Sequence, residues 1–358
     1  MKNFHYKAYY IHLSEWASNY TGGMNRRGLI GEIITSVYSG NNLKIVIVFL
    51  ITIVYSWLIL NIYIIFKKIN QNYLSIFILL SPFYVLFSIN DFRGGNSKEI
   101  IGFLALTLLI LYDIYKSNAY LLLSLLVYFI GVFSHNLNIF LFPGIIFYIF
   151  VISKIQKKTY LSSFYLIIVL ANIVIYFSPF MQNSYFDIKI WCNDLITNYN
   201  LYDTCFELTD GNLLDLKIND GVLLNIEYTK NNLNLITVLN YSIVFLFMNF
   251  YIVKTKYFNR FFKQTLAIYL SFIPLFILAL DWGRWQNILF FSLFTIYLGD
   301  KSKDSHIKNL FMTLLIVMIP TFIVYNPHCC AQFSIGNILS YNLDSFHLFD
   351  FFRKIYSF

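Results

Sequence analysis

Ile45-Val46-Ile47-Val48-Phe49-Leu50-Ile51-Thr52-Ile53-Val54-Tyr55-Ser56-Trp57-Leu58-Ile59-Leu60-Asn61-Ile62-Tyr63-Ile64-Ile65-Phe66, closed by Lys67 and Lys68, runs for 22 residues without a charge. As a helix rising about 1.5 Å per residue it covers the roughly 30 Å of hydrocarbon in a bilayer, where the backbone must satisfy its own hydrogen bonds. Further apolar runs lie at 73–89, 100–115, 119–134, 137–153, 160–180, 236–253, 264–280, 286–299 and 309–325. The pattern predicts an all-α polytopic membrane protein with about ten transmembrane helices, 1–358 forming a single membrane domain. The stretch 119–153 reads as one hairpin or two tilted helices around Ser134-His135-Asn136.

Composition points the same way. Hydrophobic residues make up 58% of the chain and charged residues 12%, with a mean hydropathy of +0.62; soluble domains carry about twice that charge. This excludes a water-soluble enzyme or a disulfide scaffold, and 6 prolines with 15 glycines exclude a disordered or collagen-like chain. The 38 Phe and 29 Tyr accompany many Ile, Asn and Lys, all residues of AT-rich codons, so the aromatic excess is read as coding bias rather than a stacking surface.

The basic residues mark the sides of the membrane. Lys67 and Lys68, then Lys116, then Lys154, Lys157 and Lys158, then Lys254, Lys256, Arg260 and Lys263, then Lys301, Lys303 and Lys308 fall in alternate connections. By the positive-inside rule these are cytoplasmic. Segments 1–44, 90–99, 135–136, 181–235, 281–285 and 326–358 are then expected on the opposite face. The net charge of +8 thereby belongs to topology, and no nucleic-acid partner is expected.

The N-terminal segment resists the rule. Lys2, Lys7, Arg26 and Arg27 precede the first long run, so either an upstream helix precedes them or 1–44 is exported or interfacial. Residues 28–38 space their apolar side chains helically with Glu32 opposite, as an interfacial or re-entrant helix would.

The long loop 181–235 is acidic, with Asp187, Asp194, Asp203, Glu207, Asp210, Asp215, Asp220 and Glu227 against Lys189, Lys217 and Lys230. The spacing of Asp210, Asp215 and Asp220 matches no calcium loop, so the loop is read as a solvated face and no metal is expected. Cys192 and Cys205 could pair in an oxidising compartment, while the adjacent Cys329 and Cys330 read as unpaired small hydrophobes.

Four short motifs fall on the outer face. In Gly22-Gly23-Met24-Asn25-Arg26-Arg27-Gly28 an arginine pair precedes a helix start, and guanidinium forks there suit phosphate oxygens. In Asp91-Phe92-Arg93-Gly94-Gly95-Asn96-Ser97-Lys98-Glu99, Arg93 and Lys98 could hold a second phosphate, while Ser97 or Glu99 could simply cap the following helix. Ser134-His135-Asn136 interrupts two apolar stretches with a histidine able to accept a proton. Asp281-Trp282-Gly283-Arg284-Trp285 is a whole connection; its tryptophans suit an aromatic belt and Asp281 could pair with Arg284. The sum is a pocket of cations (Arg26, Arg27, Arg93, Lys98, Arg284) with candidate bases (Glu32, Asp91, Glu99, His135, Asp281), matched to a lipid-linked diphosphate.

These motifs, in this order around a large central loop, resemble the O-antigen and capsule repeat-unit polymerases of the Wzy type, and the similarity spans most of the chain. In that family a glutamate follows the membrane-edge histidine; here Asn136 stands in its place. The resemblance implies a glycosyltransferase of the bacterial inner membrane, glycosyltransferase-C-like in arrangement, with a periplasmic active face, loop 181–235 and tail 326–358. It implies transfer of a growing chain from undecaprenyl diphosphate to a new lipid-linked repeat unit, without cofactor or metal, beside membrane lipid and a chain-length regulator protein. Implied roles are His135, Asp281 or Glu32 in catalysis and Arg26, Arg27, Arg93, Lys98 and Arg284 on the diphosphate. The alternatives are a membrane O-acyltransferase, whose early cytoplasmic Arg and His signatures are not found, and a lipid-linked oligosaccharide flippase. A flippase should carry charges within its spans, where Asp113 is nearly alone.

Overall fold

The computed structural model describes residues 13, 15–21, 28–38, 40, 43–69, 79, 81, 84–87, 97–176, 188–199, 235–254, 260–278 and 281–300. The expected run 309–325, the tail 326–358, most of 73–89 and of loop 181–235, and Cys205, Cys329 and Cys330 lie outside the described residues. Every regular element among the described residues is helical, as the sequence predicts. In chain order they are α1 (Leu29–Val37), α2 (Leu43–Ile69), α3 (Glu99–Tyr115), α4 (Asn118–Ser134), a 3₁₀ turn (Asn136–Leu141), α5 (Phe142–Phe147) running into a π turn (Tyr148–Ile152), α6 (Lys158–Tyr176), α7 (Ile188–Tyr199), α8 (Leu235–Lys254), α9 (Phe262–Leu278) and α10 (Trp282–Gly299).

Two helices form the centre. α3 is apolar around its whole circumference and buries nearly every residue, and α10 is buried continuously from Trp285 to Gly299. A helix without a polar face has no side to offer water, and here the neighbouring helices enclose both. They meet through Phe103 and Phe291, stacked with ring centroids 3.8 Å apart, and through Ile110 against Gly299. Asn61 of α2 donates to Thr107 of α3 at 3.1 Å, a buried polar tie in an otherwise apolar contact.

Two peripheral helices are apolar yet outward-facing. Leu43–Ile69 and Lys158–Ile175 are long and apolar enough to cross a membrane, and only 22% and 28% of their most apolar windows are buried. Ile45 and Phe49 on α2 and Ile167 and Val174 on α6 are largely exposed. Asn118–Ser134, Asn136–Ile152 and Phe262–Ile277 are apolar but shorter. The stretch 119–153 resolves into two arms: His135 ends α4 in extended conformation and the chain returns through the 3₁₀ turn, α5 and the π turn.

At the far end of α3 the connection to α4 is tight. Lys116 takes a left-handed conformation (φ 56°), unusual for a residue with a Cβ, and its N–H donates to Tyr112 O at 2.7 Å. Its ammonium reaches Asp113 Oδ1 at 2.5 Å. Asp113, expected as a rare charge within a span, also accepts from Tyr148 O–H and from the Lys154 N–H, each at 3.2 Å. This carboxylate therefore joins three segments at one end of the bundle.

Candidate functional site

The opposite end of α3 and α4 holds a second, denser set of charges. It begins with local structure: the His135 N–H closes α4 on Gly131 O at 2.9 Å, and the ring Nδ1 accepts from Leu137 N–H at 3.3 Å, capping the 3₁₀ turn. Asn138 fixes that turn to its neighbours, donating to Gly131 O at 2.8 Å and to Lys98 O at 3.5 Å. It lies directly over Gly102, where any Cβ would collide with its side-chain oxygen. The imidazole is thereby aimed along the start of α3, where Ser97, Lys98 and Glu99 are all buried.

Three segments converge on this ring. Glu15 Oε1 is 3.0 Å from His135 Nε2, and Glu99 Oε1 is 3.7 Å from Nδ1. From the first turn of α10, Arg284 Nη2 lies 3.1 Å from Nε2, and its Nε sits 2.6 Å from Glu99 Oε1. The same guanidinium is 3.6 Å from Glu15 and 3.7 Å from Asp281. The His135 side chain is 1% exposed and Glu99 4%, while Arg284, Glu15 and Asp281 open progressively to 12%, 15% and 32%.

The electrostatics are asymmetric. Three carboxylates surround one guanidinium and one imidazole, with Lys98 buried one residue from Glu99. Burial works to raise the Glu99 carboxyl, but the Arg284 and His135 charges outweigh it, against an opposing push from Glu15, and hold it below the usual glutamate range. Burial works against the Arg284 cation, and Glu99, Glu15 and Asp281 more than compensate, so it is held firmly charged. Both groups lie just outside the expected apolar runs 100–115 and 286–299.

Glu15 reaches the site because the segment around it is packed. Trp16 and Ala17 are fully buried, and a Cβ on Gly31 would run into the Ser18 carbonyl, so only glycine lets α1 and this segment meet so closely. The Ile30 N–H donates to Ser134 Oγ at 3.1 Å, seating the start of α1 beside His135. Glu32 belongs to a neighbouring network, where it accepts from Tyr20 N–H at 3.0 Å.

Of the expected site residues, His135, Asp281 and Arg284 come together around one guanidinium, Lys98 is buried at the edge of the same cluster, and Glu32 stands apart. Arg26, Arg27, Arg93 and Asp91 lie outside the described residues. Glu15 had no place among the expected site residues, and Glu99 stood there both as a candidate base and as a helix cap. No local signal singled out Glu15: ten of the 18 acidic residues stand outside loop 181–235, and Glu15, Glu99 and Asp281 are three of those. No protein-family model, no curated protein and no solved structure matches the chain.

Proposed function

We propose that the chain is a multi-pass membrane glycosyltransferase that polymerises lipid-linked repeat units of a surface polysaccharide. The observation that carries the reading is the His135 cluster: an acid–base histidine with two carboxylates and a guanidinium, gathered at the end of the bundle away from Lys116 and Lys154. The glutamate that the resembling family places after its histidine is replaced by Asn136, and Glu15 and Glu99 supply carboxylates to the same ring through space.

In this reading the protein crosses the bacterial inner membrane about ten times. The outward-facing apolar surfaces of α2 and α6 support a lipid environment. The disulfide at Cys192 supports an oxidising, periplasmic location for α7, its partner lying outside the described residues. The growing chain leaves undecaprenyl diphosphate as a hydroxyl of the incoming repeat unit attacks. Arg26, Arg27 and Arg93 supply the forks for the departing diphosphate. Arg284 is largely committed to carboxylates, so its share is to orient the His135 cluster rather than to bind phosphate alone. A chain-length regulator would act alongside.

The reading is tested with purified protein in detergent and lipid-linked repeat units extracted from a strain lacking this gene. Polymer and free undecaprenyl diphosphate should appear together, without added metal. A folded protein that forms neither contradicts it.

A further inference from the structure

We propose that Glu15 is the group that meets the acceptor hydroxyl, with His135 behind it as the destination of the proton. This rests on the glycosyl-transfer reading above. His135 is enclosed, and both its ring nitrogens are occupied, so a sugar hydroxyl cannot approach it without displacing a partner. Glu99 is equally enclosed, and Asp281, though the most open, is held against Arg284 Nη1 at 3.7 Å rather than against the ring. Glu15 alone among the described carboxylates both touches the ring and keeps part of its side chain exposed, at 15%.

The surroundings of the ring suit proton exchange. Nε2 lies 3.0 Å from Glu15 Oε1 and 3.1 Å from Arg284 Nη2, so a hydrogen on Nε2 sits beside a carboxylate, and without that hydrogen Nε2 accepts from Arg284. Nδ1 accepts from the Leu137 N–H in one state and faces Glu99 in the other. Each protonation state therefore has a carboxylate or a donor within 3.7 Å of each nitrogen. The charged groups around the ring are Glu15 from the N-terminal segment, Glu99 and neighbouring Lys98 from α3, and Arg284 and Asp281 from α10.

The acceptor oxygen forms its bond to the anomeric carbon while the bond from that carbon to the diphosphate oxygen breaks, its electron pair leaving with undecaprenyl diphosphate. The hydroxyl proton passes to the Glu15 carboxylate and then to His135 Nε2, and returns to water when product leaves.

The test compares wild type with Glu15→Gln and Glu15→Asp, using lipid-linked repeat units extracted from the deletion strain. The expected result for Glu15→Gln is normal abundance, a KM within about threefold of wild type, and a kcat lower by about 10²–10⁴. Glu15→Asp should recover part of that rate, and the acidic limb of the kcat profile should vanish in Glu15→Gln. An active wild type with Glu15→Gln within about tenfold in kcat, or with a loss confined to KM, overturns this step alone. If Glu15→Gln does not accumulate, Glu15→Asp decides: an acidic limb identical to wild type overturns the proposal, and a displaced one supports it. A folded wild type that makes no polymer overturns the glycosyl-transfer reading and this step together.

Discussion

Glu15 and His135, brought together from the N-terminal segment and the end of α4, meet at 3.0 Å with Arg284 on the same ring nitrogen. Groups that work as one unit lose their effects together rather than in sum. His135→Gln and Glu15→Gln are each expected to lower kcat by two orders of magnitude or more, in line with about 10²–10⁴ for a lost acid–base group. The double variant should be no worse than the poorer single one. Turnover of the four proteins at matched abundance checks this, and multiplying losses would separate the two residues.

Arg284 is expected to matter for folding as well as for turnover. Its removal leaves Glu15, Glu99 and Asp281 facing one another in a buried setting, which costs about 3–5 kcal/mol when a buried pair loses one partner. Arg284→Ala should therefore lower abundance and thermal stability in detergent. Arg284→Lys should recover only part, since an ammonium cannot fork between carboxylates. Adding Glu99→Gln to Arg284→Ala should restore some stability, and no gain there would contradict the charge balance described.

These two residues were not equally legible in the sequence. Arg284, His135 and Asp281 were visible because each breaks an apolar run within a few residues, where a polar side chain has little structural excuse. Glu15 was not, because its position depends on Gly31 admitting the Ser18 carbonyl, a contact between segments that no local pattern announces. Glu99 was readable as a first-turn acid of α3, which it is; that Arg284 reaches it across the bundle is a tertiary fact. The helices themselves were plain from hydrophobic length, yet nothing in the composition of α3 and α10 marked them as central. The Phe103–Phe291 stack and the tight seat of Gly299 against Tyr148 and Ile110 do that.

The pH dependence of stability follows from Glu99. Its carboxyl is held below the ordinary value of 4.5, so the folded state binds that proton less readily than the unfolded chain. The resulting stability is fully present above the unfolded value and is lost as pH falls through the folded one. Thermal stability in detergent should therefore fall as pH drops below about 4.5, the usual carboxyl range. Glu99→Gln should flatten that slope, and an unchanged slope would remove Glu99 from the account.

The other end of the bundle provides the contrast. Asp113 holds the Lys116 ammonium, the Tyr148 hydroxyl and the Lys154 N–H, at the end of α3 opposite Glu99. Asp113→Asn is expected to cost about 1–3 kcal/mol through weakened buried hydrogen bonds. Turnover per folded molecule should stay within about twofold of wild type, whereas site variants at equal stability lose about 10² or more. Thermal melts paired with activity at matched abundance distinguish the two ends.

The most direct measurement is deletion of the gene in its host, with complementation by wild type and by Glu15→Gln, and the surface polysaccharide resolved on a silver-stained gel. Collapse of the ladder to core plus one repeat unit, restored by wild type and not by Glu15→Gln, is the predicted result. An unchanged ladder, or loss of every repeat as export failure would give, contradicts polymerisation.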